Sequence, residues 1–207
     1  MSTNIPSDLI LPKVLAIGAS PRQGGNSDIL LKQVCLGLNH AGIATEEIQL
    51  RDCQISPCIG CEGCRETGRC SRFADDMVGI YPKLKTSQGL FLISPVHNYN
   101  ITAWMKAFID RLYCFYNFDI PRPGPWSSKL AGQGRKALVA AVAEQRQKEE
   151  MGFTLEAMQR PMEALGYQVI DTFAVLKMFD KGRVLEHPDI LQQAEQHGTA
   201  LADALKA

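Results

Sequence analysis

Four cysteines, Cys58, Cys61, Cys64 and Cys70, fall within the thirteen positions that close the segment SPCIGCEGCRETGRC. Thiolates are nucleophiles and soft metal ligands, so a set this dense points to metal or redox chemistry. With the spacing C-x2-C-x2-C-x5-C, one loop can reach the four corners of a 4Fe-4S cubane. Gly60, Gly63 and Gly68 keep side chains out of its path. The bacterial ferredoxin run is tighter and sends its fourth cysteine to a second cluster, and here no proline follows Cys70. Zinc sites with four thiolates usually pair two C-x2-C knuckles across a longer loop. A Cys58–Cys61 redox pair lacks the strand-to-helix setting of thioredoxin-like motifs. Cluster, zinc, disulfide pair and metal-free loop all stay open.

A second segment, GASPRQGGNS at 18–27, joins an apolar run to a helical pattern. The N–H groups at a helix start lack partners and carry partial positive charge, which suits a phosphate. Ser20, Asn26 and Ser27 add side-chain donors, and Arg22 adds a full charge. Gly24 and Gly25 let the backbone close around an anion. The glycine spacing is not that of a dinucleotide fingerprint, and no P-loop lysine is present. A hydroxyl-rich loop of this kind fits one terminal phosphate, as on a mononucleotide.

The elements that must position these segments follow from the hydrophobic pattern. The chain has 207 residues, 45% apolar and 21% charged, with a formal net charge of zero. It reads as one domain over 1–207, with a loose leader at 1–12 and a cysteine-rich insertion at 51–74. Lys and Arg are not clustered, which argues against a nucleic-acid surface or a polybasic membrane anchor. The apolar stretch LILPKVLAIGAS is interrupted by Pro12 and Lys13 and is too short to span a bilayer. A cytoplasmic location is expected, and in that reducing setting the seven cysteines are expected as thiols or ligands. Cys35 and Cys114 lie in apolar helical patterns and read as buried.

Strand-length apolar runs at 13–19, 44–50, 89–96, 135–143 and 167–176 alternate with helical patterns. This predicts an α/β fold with a doubly wound five-stranded parallel sheet in the order 2-1-3-4-5 and helices on both faces. Ligands on such sheets bind at the carboxyl ends of strands one and three. The segment 102–116 reads as one helix, apolar around too much of its circumference for a single buried face. That predicts a homodimer or homotetramer built on this helix and the 117–133 loop. Segment 143–152 is a candidate lid. Asp110 and Arg111 read as a surface or interface pair. His40, His187 and His197 read as structural.

Three motifs, in order along 13–116, carry a resemblance. GASPRQGGNS resembles the phosphate loop of the flavodoxin-like NAD(P)H-dependent FMN reductase family. SPVHNYN looks like the segment that wraps the flavin ring in that family, and KAFIDRL resembles its K-x-F-I-D-R helix. The resemblance implies that Ser20, Arg22, Asn26 and Ser27, with Gly25, hold the FMN phosphate. It implies that Pro95, Val96, His97, Asn98 and Tyr99 contact the ribityl chain or the ring, with His97 and Asn98 departing from the usual aromatic pair. The cysteine spacing followed by Asp-Asp-Met is similar to the iron–sulfur flavoprotein group, whose four cysteines ligate a 4Fe-4S cluster beside FMN. Implied is an oxidoreductase that passes electrons from NAD(P)H through FMN to a quinone, metal, cluster or protein. It would have no catalytic side chain in the strict sense, because the cofactor carries the redox step. Two other classes stay open. One is an iron–sulfur flavoprotein carrier reduced by ferredoxin, and the other is a flavodoxin-fold sensor of oxidation.

Overall fold

The computed structural model describes residues 13–207, so the leader expected at 1–12 lies outside the described residues. Strands β1 (Lys13–Gly18), β2 (Ala44–Gln49) and β3 (Gly89–Pro95) come first. The short β4 (Tyr116–Phe118) and β5 (Trp126–Ser128) follow, and then β6 (Lys136–Val142) and β7 (Gln168–Val175). Helices α1 (Asn26–His40), α2 (Met77–Thr86), α3 (Ala103–Asp110), α4 (Thr154–Ala164) and α5 (Pro188–Lys206) alternate with them. Five strands form one parallel sheet in the order β2-β1-β3-β6-β7, which is the expected 2-1-3-4-5 topology.

Alternation along each strand divides the core in two. Val14 and Ala16 of β1, with Phe91 and Ile93 of β3, face α1 and α5. Leu15 and Ile17, with Leu90 and Leu92, face α2, α3 and α4. β1, β3 and β6 are buried throughout apart from single terminal residues, as central parallel strands must be. The edge strands β2 and β7 keep half-exposed positions. Helices α1 and α5 cross at two glycines. A Cβ on Gly37 would overlap the Glu195 carbonyl, and one on Gly198 would overlap the Val34 carbonyl.

The expected helix over 102–116 is shorter in the structure. α3 ends at Asp110, a 3-10 turn covers Arg111–Phe115, and the chain then enters β4. The Arg111 carbonyl accepts the buried Tyr81 hydroxyl at 3.1 Å, and the Arg111 side chain turns back to Asp75. Both contacts fall where the α-helix tightens into the 3-10 turn. β4 pairs antiparallel with β5, so the loop expected at 121–134 carries a strand. Its three residues are too few to stand out among the prolines and glycines around them. Cys35 and Cys114 are buried as expected, and burial pushes both thiols up to about 12.

Candidate functional site

The loops after all five parallel strands lie at the carboxyl edge of the sheet. After β1, the backbone makes a tight turn. Ser20 Oγ accepts the Arg22 N–H at 3.1 Å, the Gly25 N–H donates to the Arg22 carbonyl at 3.0 Å, and Gly24 has φ +67°. A Cβ on Gly25 would sit 2.9 Å from the Arg22 oxygen, so a side chain there would force the turn open. As the first N–H groups of α1, those of Asn26 and Ser27 have no intrahelical acceptor.

Two residues that sequence reasoning missed hold this turn. Asp28 accepts the Gly24 N–H at 2.7 Å and is itself buried. A buried carboxylate at a turn expected to take a phosphate would repel that ligand, but Arg51 neutralises it. Arg51 Nη2 lies 2.9 Å from one Asp28 oxygen, and Nη1 reaches the other at 2.9 Å and the Ser20 carbonyl at 3.1 Å. No motif marks Arg51, which arrives from beyond β2.

After β3, Val96 continues the pairing to β6 through the Val142 carbonyl at 2.8 Å. His97 and Asn100 then exchange two backbone hydrogen bonds, at 2.8 and 3.0 Å, around a two-residue turn. Asn98 and Tyr99 have φ +48° and +64°, the left-handed pair that such a turn demands. The Phe153 N–H donates to the Tyr99 carbonyl at 2.9 Å, and Gly152 leaves room for that approach. The expected lid at 143–152 is thus partly a strut. Its capping box orders Lys148–Met151 and fastens them beside the Tyr99 turn, with Met151 buried.

The two loops share one cavity of about 530 Å³. Ser20, Arg22, Gly25, Asn26, Ser27, Pro95, Val96, His97, Asn98 and Tyr99 all line it. Glu144 and Gln145, from the segment expected as a lid, join them with Pro21 and Val142, whereas Met178, Phe179 and Lys181 after β7 were not foreseen. Arg22 stacks over Phe179 at 5.3 Å and donates to its carbonyl at 2.8 Å. The Asn26 side chain is fully engaged within the protein. Its amide nitrogen donates to the Met178 and Asp180 carbonyls, and its oxygen accepts the Val184 N–H. The role implied for Asn26 as a side-chain donor to phosphate therefore changes. It ties the first loop to the last, and only its backbone N–H stays open to a ligand. Gln145 Oε1 is buried in the cavity wall without a partner, an acceptor that the protein leaves unpaired.

These features fit a flavin mononucleotide. The volume lies within the usual range for small-ligand sites, about 300–1,000 Å³. Arg22 and Lys181 supply two cations beside the open N–H groups of α1.

Cys58, Cys61, Cys64 and Cys70 line a different and narrower cavity of about 20 Å³, with Phe73, Arg111 and Tyr113. Burial raises the Cys64 thiol, and the neighbouring Cys70, Cys58 and Cys61 raise it further. Cys53 stays apart, with its thiol directed to the Gln49 carbonyl at 3.6 Å. All seven cysteines are free thiols. Among the described residues, no three of His, Cys, Asp and Glu are grouped as ligands of one metal ion.

Asp75 and Arg111 anchor the base of this loop. Arg111 Nη1 and Nη2 meet the two Asp75 oxygens at 2.6 and 3.0 Å, and Nη1 also reaches the Ser56 carbonyl at 2.8 Å. Arg111 is 3% exposed, so the expected surface pair is instead one buried residue and one exposed partner of Lys106, namely Asp110. Burial disfavours the Asp75 charge, but the Arg111 guanidinium and the Ser56 N–H bring its carboxyl below the ordinary value.

A family-wide sequence profile described as NADPH-dependent FMN reductase matches residues 12–183. The chain is 39% identical over 99 residues to an iron-sulfur flavoprotein of Methanocaldococcus jannaschii, covering 48% of this chain and 51% of that protein. It is 35% identical over 100 residues to one from Archaeoglobus fulgidus, covering 48% and 45%. These matches span about half the length of the curated relatives. Among solved structures, an NAD(P)H:quinone oxidoreductase from Methanothermobacter marburgensis superposes with TM-score 0.68 at 18% identity, over 92% of this chain and 97% of that one. An archaeal flavodoxin superposes with TM-score 0.57 at 14% identity, over 94% and 99%. At such identities the likeness is one of fold, and the fold is flavodoxin-like.

Proposed function

The chain belongs to the NADPH-dependent FMN reductase family, and from that premise we propose an oxidoreductase that passes electrons from NAD(P)H through FMN to a second acceptor. FMN, when bound, supplies hydride acceptance and onward delivery of two electrons, singly or as a pair. This chain's residues bind and orient it. The Ser20 hydroxyl, the Asn26 and Ser27 N–H groups, Arg22 and Lys181 would hold the phosphate. The Asp28–Arg51 pair keeps their turn closed. Pro95–Tyr99 would flank the ribityl chain and the ring, and Gln145 Oε1 would accept a donor from the ligand. No side chain is assigned a proton transfer.

One observation carries this reading: two loops far apart in sequence, both expected from motifs, meet in a single cavity of suitable size. The test is a Ser20→Ala, Arg22→Ala double variant. A hydrogen bond to a charged group is worth about 1.5–3 kcal/mol, so removing one should weaken affinity about ten-fold or more. FMN content unchanged from wild type after gel filtration would refute the assignment.

The cysteine cavity favours a refinement, that the chain holds a 4Fe-4S cluster. A single zinc ion needs four sulfurs converging at about 2.3 Å, whereas a cubane takes one thiolate at each of four separated corners. All four thiols here line one cavity, and it is their number and C-x2-C-x2-C-x5-C spacing that support the cluster. The electron acceptor is then internal in the first instance, and a quinone, metal or partner protein comes after it. A carrier reduced by ferredoxin is the second reading, and the cluster would favour it. Steady-state NAD(P)H oxidation with an artificial acceptor separates the two, because a pure carrier would show almost no turnover.

A further inference from the structure

Three charged side chains line the cysteine cavity, Glu62, Asp110 and Arg111, and of these Arg111 remains only partly accounted for. Arg111 is buried, and its guanidinium lies over the Phe73 ring at 5.0 Å. Its two terminal nitrogens are used on Asp75 and the Ser56 carbonyl, while its Nε is buried and has no partner. A buried N–H left unpaired costs about 1–3 kcal/mol. The fold tolerates that at the one cavity where four thiols also gather. Asp75 takes the fork of the guanidinium and leaves the Nε edge over. The Glu62 and Asp110 carboxylates in the same wall are already paired, with Arg65 and Arg122 and with Lys106, and the acceptors left over in this cavity are sulfurs, which become anionic when they ligate metal.

We propose that the Nε–H of Arg111 is held for the anionic sulfur of a cluster carried by Cys58, Cys61, Cys64 and Cys70, and that it raises the reduction potential of that cluster. The inference rests on the cluster reading above. Reduction adds one electron and breaks no bond, so the sulfur shell gains one negative charge. A cationic donor stabilises the reduced form more than the oxidised one, and hydrogen bonds to sulfur are a recognised control of cluster potential.

The experiment uses the full chain, reconstituted anaerobically with iron and sulfide. Iron is assayed first. The midpoint is then measured by mediated titration, read by electron paramagnetic resonance, for wild type and Arg111→Lys, which keeps the charge but lacks Nε. The expected result is equal iron content and a lower midpoint in the variant, the reduced-to-oxidised ratio at fixed poise falling about ten-fold, or about 59 mV for one electron. A purely structural Arg111 would alter stability or iron content and leave the midpoint of loaded protein unmoved. Should Arg111→Lys fail to fold, wild type labelled with 15Nε-arginine decides. Pulsed resonance of the reduced protein should show a nitrogen coupling, and Arg65, Arg69 and Arg72 form no part of this cavity wall. Four irons per chain with no coupling, or with an unshifted midpoint, overturn the inference alone. A chain that takes up no iron ends the cluster reading and this inference together.

Discussion

Asp75 and Arg111 illustrate how single residues fix the cysteine loop to the sheet. The pair is almost wholly buried, with side-chain exposures of 9% and 1%. Removing one partner strands the other, which typically costs about 3–5 kcal/mol. Arg111→Ala is expected to lower the urea midpoint accordingly, whereas an exposed pair such as Lys106–Asp110 should change stability by less than about 1 kcal/mol. The sign with pH follows from Asp75. Its folded value lies below its unfolded one of about 3.9, so its contribution is complete above that pH and is lost as pH falls through the folded value. Asp75→Asn should therefore flatten the loss of stability below about pH 4, as measured by urea titrations at stepped pH. Asn26 makes a second case. With its amide bound to Met178, Asp180 and Val184, Asn26→Ala should loosen residues 178–184 and speed their hydrogen exchange as well as weaken FMN retention. A residue acting only on phosphate would leave that exchange unchanged.

Among the elements, α1 and α5 show a sequence preference being overruled. Alanine in place of a mid-helix glycine normally gains up to about 1 kcal/mol. At Gly198 the new methyl would meet the Val34 carbonyl, and backbone cannot move aside as a side chain can. Gly198→Ala is expected to destabilise by about 1–3 kcal/mol, the range for overpacking, with the chemical-denaturation midpoint as the measure. Strands and helices with a sustained period were legible in the sequence, because buried parallel strands such as LFLISP can only be continuous apolar runs. The end of α3 was not legible, since the apolar pattern runs on through Arg111–Phe115, where the backbone is a 3-10 turn. The site divides along the same line. Ser20–Ser27 is a contiguous stretch whose residue types announce a phosphate, and Pro95–Tyr99 is one that the family resemblance implied. Phe179 and Lys181 reach the cavity only because β7 ends where it does, and nothing in their local sequence says so. Arg51 escaped notice for the same reason.

At the scale of the whole molecule, the hairpin β4–β5 leaves Trp126 at 53% exposure and Ile120 at 76%, the latter beside the cysteine loop. Tyr116 meets the Trp126 ring edge-on, and Tyr113 stacks on Phe118 and packs edge-on against Tyr116. Apolar aromatic surface of this kind marks an interaction site, and we propose self-association there. Light scattering at micromolar concentration should find a dimer or tetramer, and Trp126→Glu should shift it toward monomer while leaving FMN bound. A wild-type monomer would count against it. No described helix is long and apolar enough to cross a membrane.

The Asn26 amide has one more consequence. Because residue 26 is tied to residues 178–184, the opening βα unit has no finished cradle until the segment beyond the last strand has docked. A nascent chain still missing everything after β7 would thus be unable to capture the vitamin-derived cofactor. Quenching of free flavin fluorescence would then time the end of folding rather than its beginning.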